Sequence, residues 1–212
     1  MPVITIQGQF GSWANDIGEL IANKLNIDYV DREIIARVAQ RLRQPSTSIE
    51  EKEMPPSTLL GRIAEAMAKT PYMDDITFTG IYSPLWAIPL NDTNYLSGLE
   101  YVIKELAGSQ SIVIRGRGSQ FILKDFPGAF HVLIVVPVVV RVKRVIERLK
   151  LNEEGARNEI ARFDDGSQMF IKRYFQADIV DPINYDIVIN TNHLSIEGAA
   201  SIIVDAVPWL SD

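Results

Sequence analysis

The chain has no cysteine in its 212 residues. Disulfides, thiolate metal sites and a cysteine nucleophile are therefore excluded. It has 2 histidines, at positions 131 and 193, and two distant imidazoles without a thiol argue against a structural zinc site. No metal-ligating set is expected from its residues. No stretch approaches the roughly 18 consecutive apolar residues of a membrane helix. The opening MPVITIQGQF lacks the basic region and long apolar run of a signal peptide. No membrane partner is expected, and a cytoplasmic location is. An excess of positive charge is missing too: the net charge is −6, which argues against a general nucleic-acid binder.

What is present suffices for one well-buried core, since 47% of the chain is apolar. A single domain over 1–212 is expected. The charge is unevenly spread. Residues 115–173 hold 12 Lys/Arg, 8 of them Arg, against 7 Asp/Glu, while the remainder holds 9 against 20. An Arg-rich segment in an acidic chain suggests a small anionic ligand, because guanidinium forks match phosphate oxygens. A solvated helix face would give the same composition.

Along the chain, Val3-Ile4-Thr5-Ile6 is a short apolar run closed by Gly8 and reads as a strand. Ile17, Leu20, Ile21 and Leu25 fall at helical spacing over 15–25, with Ser12 or Asn15 placed to cap the helix. NIDYV reads as a second strand and DREIIARVAQRL as a helix. Residues 44–94 are polar and Pro-bearing around the helical LLGRIAEAMAKT, and read as an excursion from the main layer. Asn94–Ala107 is helical by pattern. SIVIRGRG, AFHVLIVV and YDIVIN read as buried strands, SQFILKD as a short helix and SIEGAASIIVDAV as a closing helix. Between them, Val138, Val142, Val145, Ile146 and Leu149 form one helical face, and Arg141, Arg144 and Arg148 follow one another on a neighbouring face. His131 reads as a core or edge residue, His193 as a loop residue, Asp164-Asp165 as a charge pair in a loop or at a helix end, and Trp86 and Trp209 as packing residues. Apolar strands alternating with helices imply a parallel sheet covered on both faces. Ligands in such folds sit at the carboxyl ends of the strands.

Two segments stand at such ends. The first, GQFGSWAN, comprises Gly8, Gln9, Phe10, Gly11, Ser12, Trp13, Ala14 and Asn15. A strand–glycine loop–helix unit is an anion site when helix-N-terminal amides face the ligand. The usual motif is Gly-x-x-x-x-Gly-Lys-Ser/Thr. Here its last three positions are Trp13, Ala14 and Asn15. The second segment is Arg115-Gly116-Arg117-Gly118-Ser119. Each reads as an anion site or as a plain turn.

Together these pieces resemble a known family. ITIQGQFGSWANDIGELIANKLNIDYVDREII, SIVIRGRGSQFIL, RVKRVIERL and IKRYFQADIVDPINYDIVINTNHLSIEGAA look like the cytidylate kinase-like proteins, a branch of the nucleoside monophosphate kinases. The order and spacing match along nearly the whole chain outside 44–94. The resemblance implies a P-loop kinase fold: α/β, a five-stranded parallel sheet with helices on both faces, a monophosphate-binding excursion (44–94) and a lid (141–180). It implies phosphoryl transfer from ATP, with Mg²⁺, to a nucleoside monophosphate such as CMP. By the same resemblance Gly8–Asn15 is the ATP phosphate loop. Asp31, Arg32 and Arg115 lie at the monophosphate side, and Arg117 holds the acceptor phosphate. Arg141 and Arg144 begin the lid, Lys172 and Arg173 close it, and Arg141, Arg144 and Arg173 neutralise transition-state charge.

Three departures from the family pattern stand out. Relatives commonly read Phe/Tyr-Gly-Ser-Gly-Gly in the loop, where this chain has Trp13-Ala14. The Asp-Gly-Arg of cytidylate kinases is Arg115-Gly116-Arg117. A lid arginine six residues before RYF is Ser167. Phosphoryl transfer rests on positioning and charge neutralisation. The alternative to a kinase is therefore a weak or inactive relative that binds a nucleotide or another phosphate ligand as a sensor or interaction module.

Overall fold

The computed structural model describes residues 1–31 and 93–207. Within them the elements are β1 (Val3–Gly8), α1 (Ala14–Leu25), β2 (Asp28–Val30), α2 (Thr93–Ser109), β3 (Ile112–Arg115), α3 (Ser119–Ile122), β4 (Ala129–Val135), α4 (Val138–Leu149), α5 (Glu153–Phe175), a 3₁₀ turn (Pro182–Asn184), β5 (Ile187–Asn190) and α6 (Ile196–Ala206). The expected helix DREIIARVAQRL, Arg32 and nearly all of the 44–94 excursion lie outside the described residues, as do Trp86 and Trp209.

The five strands form one parallel sheet in the order β2-β3-β1-β4-β5. The chain leaves β1 toward β2 and β3 on one side and toward β4 and β5 on the other, so the order reverses at β1. A ligand crevice opens at such a switch point, outside the strand carboxyl ends.

Strand alternation sorts the core into two layers. Val3, Ile112 and Ile114 face Leu99, Val102, Ile103 and Leu106 of α2 and Phe170 and Ile171 of α5. Ile4, Ile6 and Val113 face Ile17 and Ile21 of α1 and Ala199, Ala200 and Ile203 of α6. A third, smaller cluster joins Val142 and Val145 of α4 to Ala156 and Ile160 of α5, with Phe10 packed against it. Phe10 thereby ties the loop after β1 to the α4–α5 pair.

Several expectations are corrected. Neither Ser12 nor Asn15 caps α1. The N-cap is Trp13, in a left-handed conformation (φ 68°, ψ 16°) and without a side-chain capping bond, because the loop's tight return places the helix cap one residue after Ser12. Asp164 and Asp165 lie inside α5, a 23-residue helix, not in a loop or at a helix end. Asn152 caps that helix, its side chain accepting from the Gly155 N–H, so the helix runs on well past Asp165. YDIVIN is not a fully buried strand: among the described residues β5 pairs with β4 alone, at the end of the sheet order, and Val188 is exposed. Among the described residues no helix is long and apolar enough to cross a membrane.

Candidate functional site

The loop after β1 is shaped by contacts at every residue. A Cβ on Gly8 would lie 2.3 Å from the Ala14 Cβ, so only glycine allows the loop to fold back on itself. Gln9 N–H donates to the Ile134 carbonyl at 3.2 Å, and Gln9 Oε1 accepts from Val136 N–H at 3.1 Å. Ser12 N–H closes the turn on the Gln9 carbonyl at 3.0 Å. Gly11 has φ 84°, and a Cβ there would press on Val145 and the Arg141 carbonyl of α4. Trp13 takes φ 68° where the phosphate-binding motif has glycine, at a cost of roughly 1–2 kcal/mol for an L-residue. The loop therefore keeps its shape without its second glycine. Beyond it, the first N–H groups of α1 have no intrahelical acceptor and point out of the helix start.

The segment after β3 repeats the device. β1 and β3 are neighbours, with Ile6 paired to Arg115, so their following loops lie side by side. Gly116, Arg117 and Gly118 are consecutively left-handed, at φ 74°, 59° and 70°. This turn presses Gly118 against Phe175, whose ring would lie 2.4 Å from a Cβ there. Arg117 is 9% exposed.

Together these loops line a cavity of about 800 Å³, within the range typical of small-molecule sites. Gly8 through Asn15, Asp31, Arg115, Arg117, Arg144, Arg148, Phe163, Asp164 and Ser167 all contribute to its wall. The structure thus brings the two segments singled out from the sequence to one crevice. It does not bring every predicted residue there. Arg141 sits behind the wall, buried and ion-paired to Asp164. Lys172 and Arg173 are exposed on the last turn of α5.

Arg144 is held on three sides. Its Nη2 donates to the Thr191 carbonyl at 2.7 Å. Its Nη1 donates to Thr191 Oγ1 at 3.0 Å and to the Gly11 carbonyl at 3.4 Å. Its Cζ lies 3.2 Å from the centre of the Trp13 ring. Burial pushes its pKa down from the ordinary guanidinium value. Thr191 Oγ1 in turn donates to the Ser12 carbonyl at 3.2 Å.

Asp164 makes the matching contact from α5. Its Oδ1 accepts from Phe10 N–H at 3.2 Å, while Oδ2 takes the Arg141 guanidinium. Beside it the Phe163 ring stacks on Phe10, with centroids 4.3 Å apart. Tyr29 donates to Asn15 Oδ1 at 3.1 Å. Burial drives the Tyr29 phenol above its usual range, with Arg115 opposing, so it stays protonated and keeps donating.

Tyr29, Phe163, Asp164 and Thr191 were not legible as site residues. The one sequence signal was the Arg stripe on α4, which requires buried acceptors if two of its members turn inward.

The Mg²⁺ implied by the resemblance would be held mainly by substrate phosphates and water, with few protein ligands. The motif hydroxyl is replaced by Asn15, whose oxygen accepts from Tyr29. Among the described residues no three His, Asp or Glu gather as a metal set.

The sequence profile of the cytidylate kinase-like family matches residues 3–193. The chain is 29% identical over 107 residues to the cytidylate kinase of Thermococcus kodakarensis, a match covering 50% of this chain and 54% of that protein. It is 30% identical over 105 residues to the cytidylate kinase of Methanococcus aeolicus, covering 49% and 59%. Among solved structures it is similar to an uncharacterized protein from Eubacterium ventriosum, with TM-score 0.70 and 20% identity over 98% of this chain and 99% of that one. It is also similar to shikimate kinase from Bacteroides thetaiotaomicron, with TM-score 0.50 and 12% identity over 98% of each chain. The structural likenesses carry the fold, a P-loop kinase sheet and its flanking helices.

Proposed function

From the premise that this chain belongs to the cytidylate kinase-like family, we propose that it transfers the γ-phosphoryl group of ATP to a nucleoside monophosphate of the CMP kind. One observation carries the reading: the glycine loop after β1 and the arginine-bearing turn after β3 face one cavity of about 800 Å³. Donor phosphates would meet the N–H groups at the start of α1, where the helix dipole favours anions. The acceptor phosphate would meet Arg117, with Arg115 and Asp31 on the same wall. An acceptor phosphate oxygen attacks the γ-phosphorus, the bond to the β-phosphate oxygen breaks, and ADP leaves. Both reacting groups are already ionised, so the step requires positioning and charge neutralisation rather than a strong general base.

Helices α4 and α5 would serve as the lid over 141–180. Family membership favours the catalytic reading over a non-catalytic phosphate-binding module. The test is ADP release from ATP with CMP, UMP, AMP or GMP added in turn. Release stimulated by CMP above the acceptor-free rate is expected. No acceptor-dependent release with any of the four would overturn the reading.

A further inference from the structure

A nucleoside triphosphate offers two separable handles. Its phosphates are held by amides and cations, and its base is held by stacking on planar side chains. Beside the loop after β1 the planar groups on the cavity wall include Phe10, Trp13, Arg144 and Phe163; Arg148, farther along α4, leans to Asp16 of α1 at 3.4 Å. The first four are already paired with one another. Phe10 lies flat on Phe163, with an interplanar angle of 4°. Trp13 lies under Arg144 at 3.2 Å. The Arg144 fork is spent on Thr191 and the Gly11 carbonyl. One face of the Arg144 plane is thus covered by an indole that belongs to the loop itself. The indole also packs against the apolar layer beneath α1 and α6. A base whose phosphates sit in the loop therefore finds the adjoining cationic plane filled by the chain's own ring.

We propose that Trp13 sets the donor specificity of this site: it masks the stacking plane of Arg144, so that the donor is recognised by its polyphosphate and not by its base. The proposal rests on the phosphoryl-transfer reading above and specifies its donor. ATP, GTP, CTP, UTP and inorganic triphosphate are then held alike. Removing the indole uncovers Arg144, and glycine suits the left-handed backbone at position 13, which offsets part of the apolar packing lost with the ring.

The test is calorimetric titration of the wild-type and Trp13→Gly chains with the four nucleoside triphosphates and with inorganic tripolyphosphate. In the wild type the five dissociation constants are expected within about threefold of one another, since no base stack distinguishes them. In Trp13→Gly, ATP is expected to tighten about tenfold relative to tripolyphosphate, the effect of one regained stack. A wild-type preference for ATP over tripolyphosphate of about tenfold or more would overturn the proposal. Loss of ATP affinity in Trp13→Gly would do the same, by making the indole a platform instead of a mask. Triphosphate binding without acceptor-dependent ADP release would sink the kinase reading and leave the masking measurable. Binding of no triphosphate by either protein would overturn both.

Discussion

Phe10 and Asp164 are 154 positions apart in the chain, yet the Phe10 N–H donates to the Asp164 carboxylate at 3.2 Å. The same carboxylate holds Arg141 of α4. One side chain on α5 therefore fixes both the loop after β1 and the neighbouring helix. Asp164→Ala would leave the Arg141 charge without this partner in a site where Arg141 is 7% exposed. Breaking a fully buried pair costs about 3–5 kcal/mol. The Asp164 side chain is 30% exposed, so solvent screening reduces the expected loss to roughly 1–3 kcal/mol. Urea unfolding should show the midpoint falling, and an unchanged midpoint would remove Asp164 from this role.

Arg117 is expected to act on the acceptor and not on the donor. It stands on the turn after β3, on the wall of the same cavity as the start of α1. A charge-assisted hydrogen bond contributes about 1.5–3 kcal/mol, so Arg117→Ala should raise the KM for the monophosphate about ten- to hundredfold. The affinity for ATP should stay nearly unchanged. Steady-state kinetics with each substrate varied in turn would separate the two. Equal losses for both substrates would refute the placement.

The sheet carries a pH dependence of its own. His131 is buried in β4, with Nδ1 2.8 Å from Thr5 Oγ1. Desolvation lowers its pKa below the ordinary value near 6.5, with Asp186 opposing. A histidine held neutral in the fold binds a proton more readily once unfolded. Its contribution is therefore fully present above the unfolded pKa and is lost as pH falls through 6.5 toward the folded value. Thermal melts of the wild type should show declining stability on acidification below that point. His131→Gln should flatten this limb while starting from a lower plateau, and an identical slope in both proteins would exclude His131 as its source.

How much of this was legible in the sequence follows from the range of the interactions involved. Val3-Ile4-Thr5-Ile6 and Ile112-Val113-Ile114 announce strands because alternate residues meet opposite layers of the same core. Gly8, Gly11 and Gly116 announce turns because their backbones require it locally. The convergence of the two loops follows from strand ends in a parallel sheet. The partners of the arginines were hidden because they are distant in sequence: Arg141 meets Asp164, 23 residues on, and Arg144 meets Thr191, 47 residues on. A left-handed Trp13 is also invisible to propensity, since tryptophan rarely accepts that backbone. Only the fixed return of the loop and the Arg144 stack make it tenable.

Thr191 tests that last point. It is fully buried, and its hydroxyl stands between Arg144 Nη1 at 3.0 Å and the Ser12 carbonyl at 3.2 Å. Thr191→Val keeps the volume and the branched shape but removes both bonds. Arg144 retains the Thr191 backbone carbonyl at 2.7 Å, so its guanidinium is loosened rather than released. The Ser12 carbonyl loses a buried donor, and leaving such a group unsatisfied costs about 1–3 kcal/mol. The expected outcome is a stability loss of that size, with the loop after β1 affected before the sheet. Amide hydrogen exchange should then rise at Gly11 to Asn15 while Val132–Ile134 of β4 stay protected. Uniform loss of protection across β4 and the loop would show that Thr191 supports the core as a whole. No change at either would show that Gly11 and Trp13 hold Arg144, and the loop, without it.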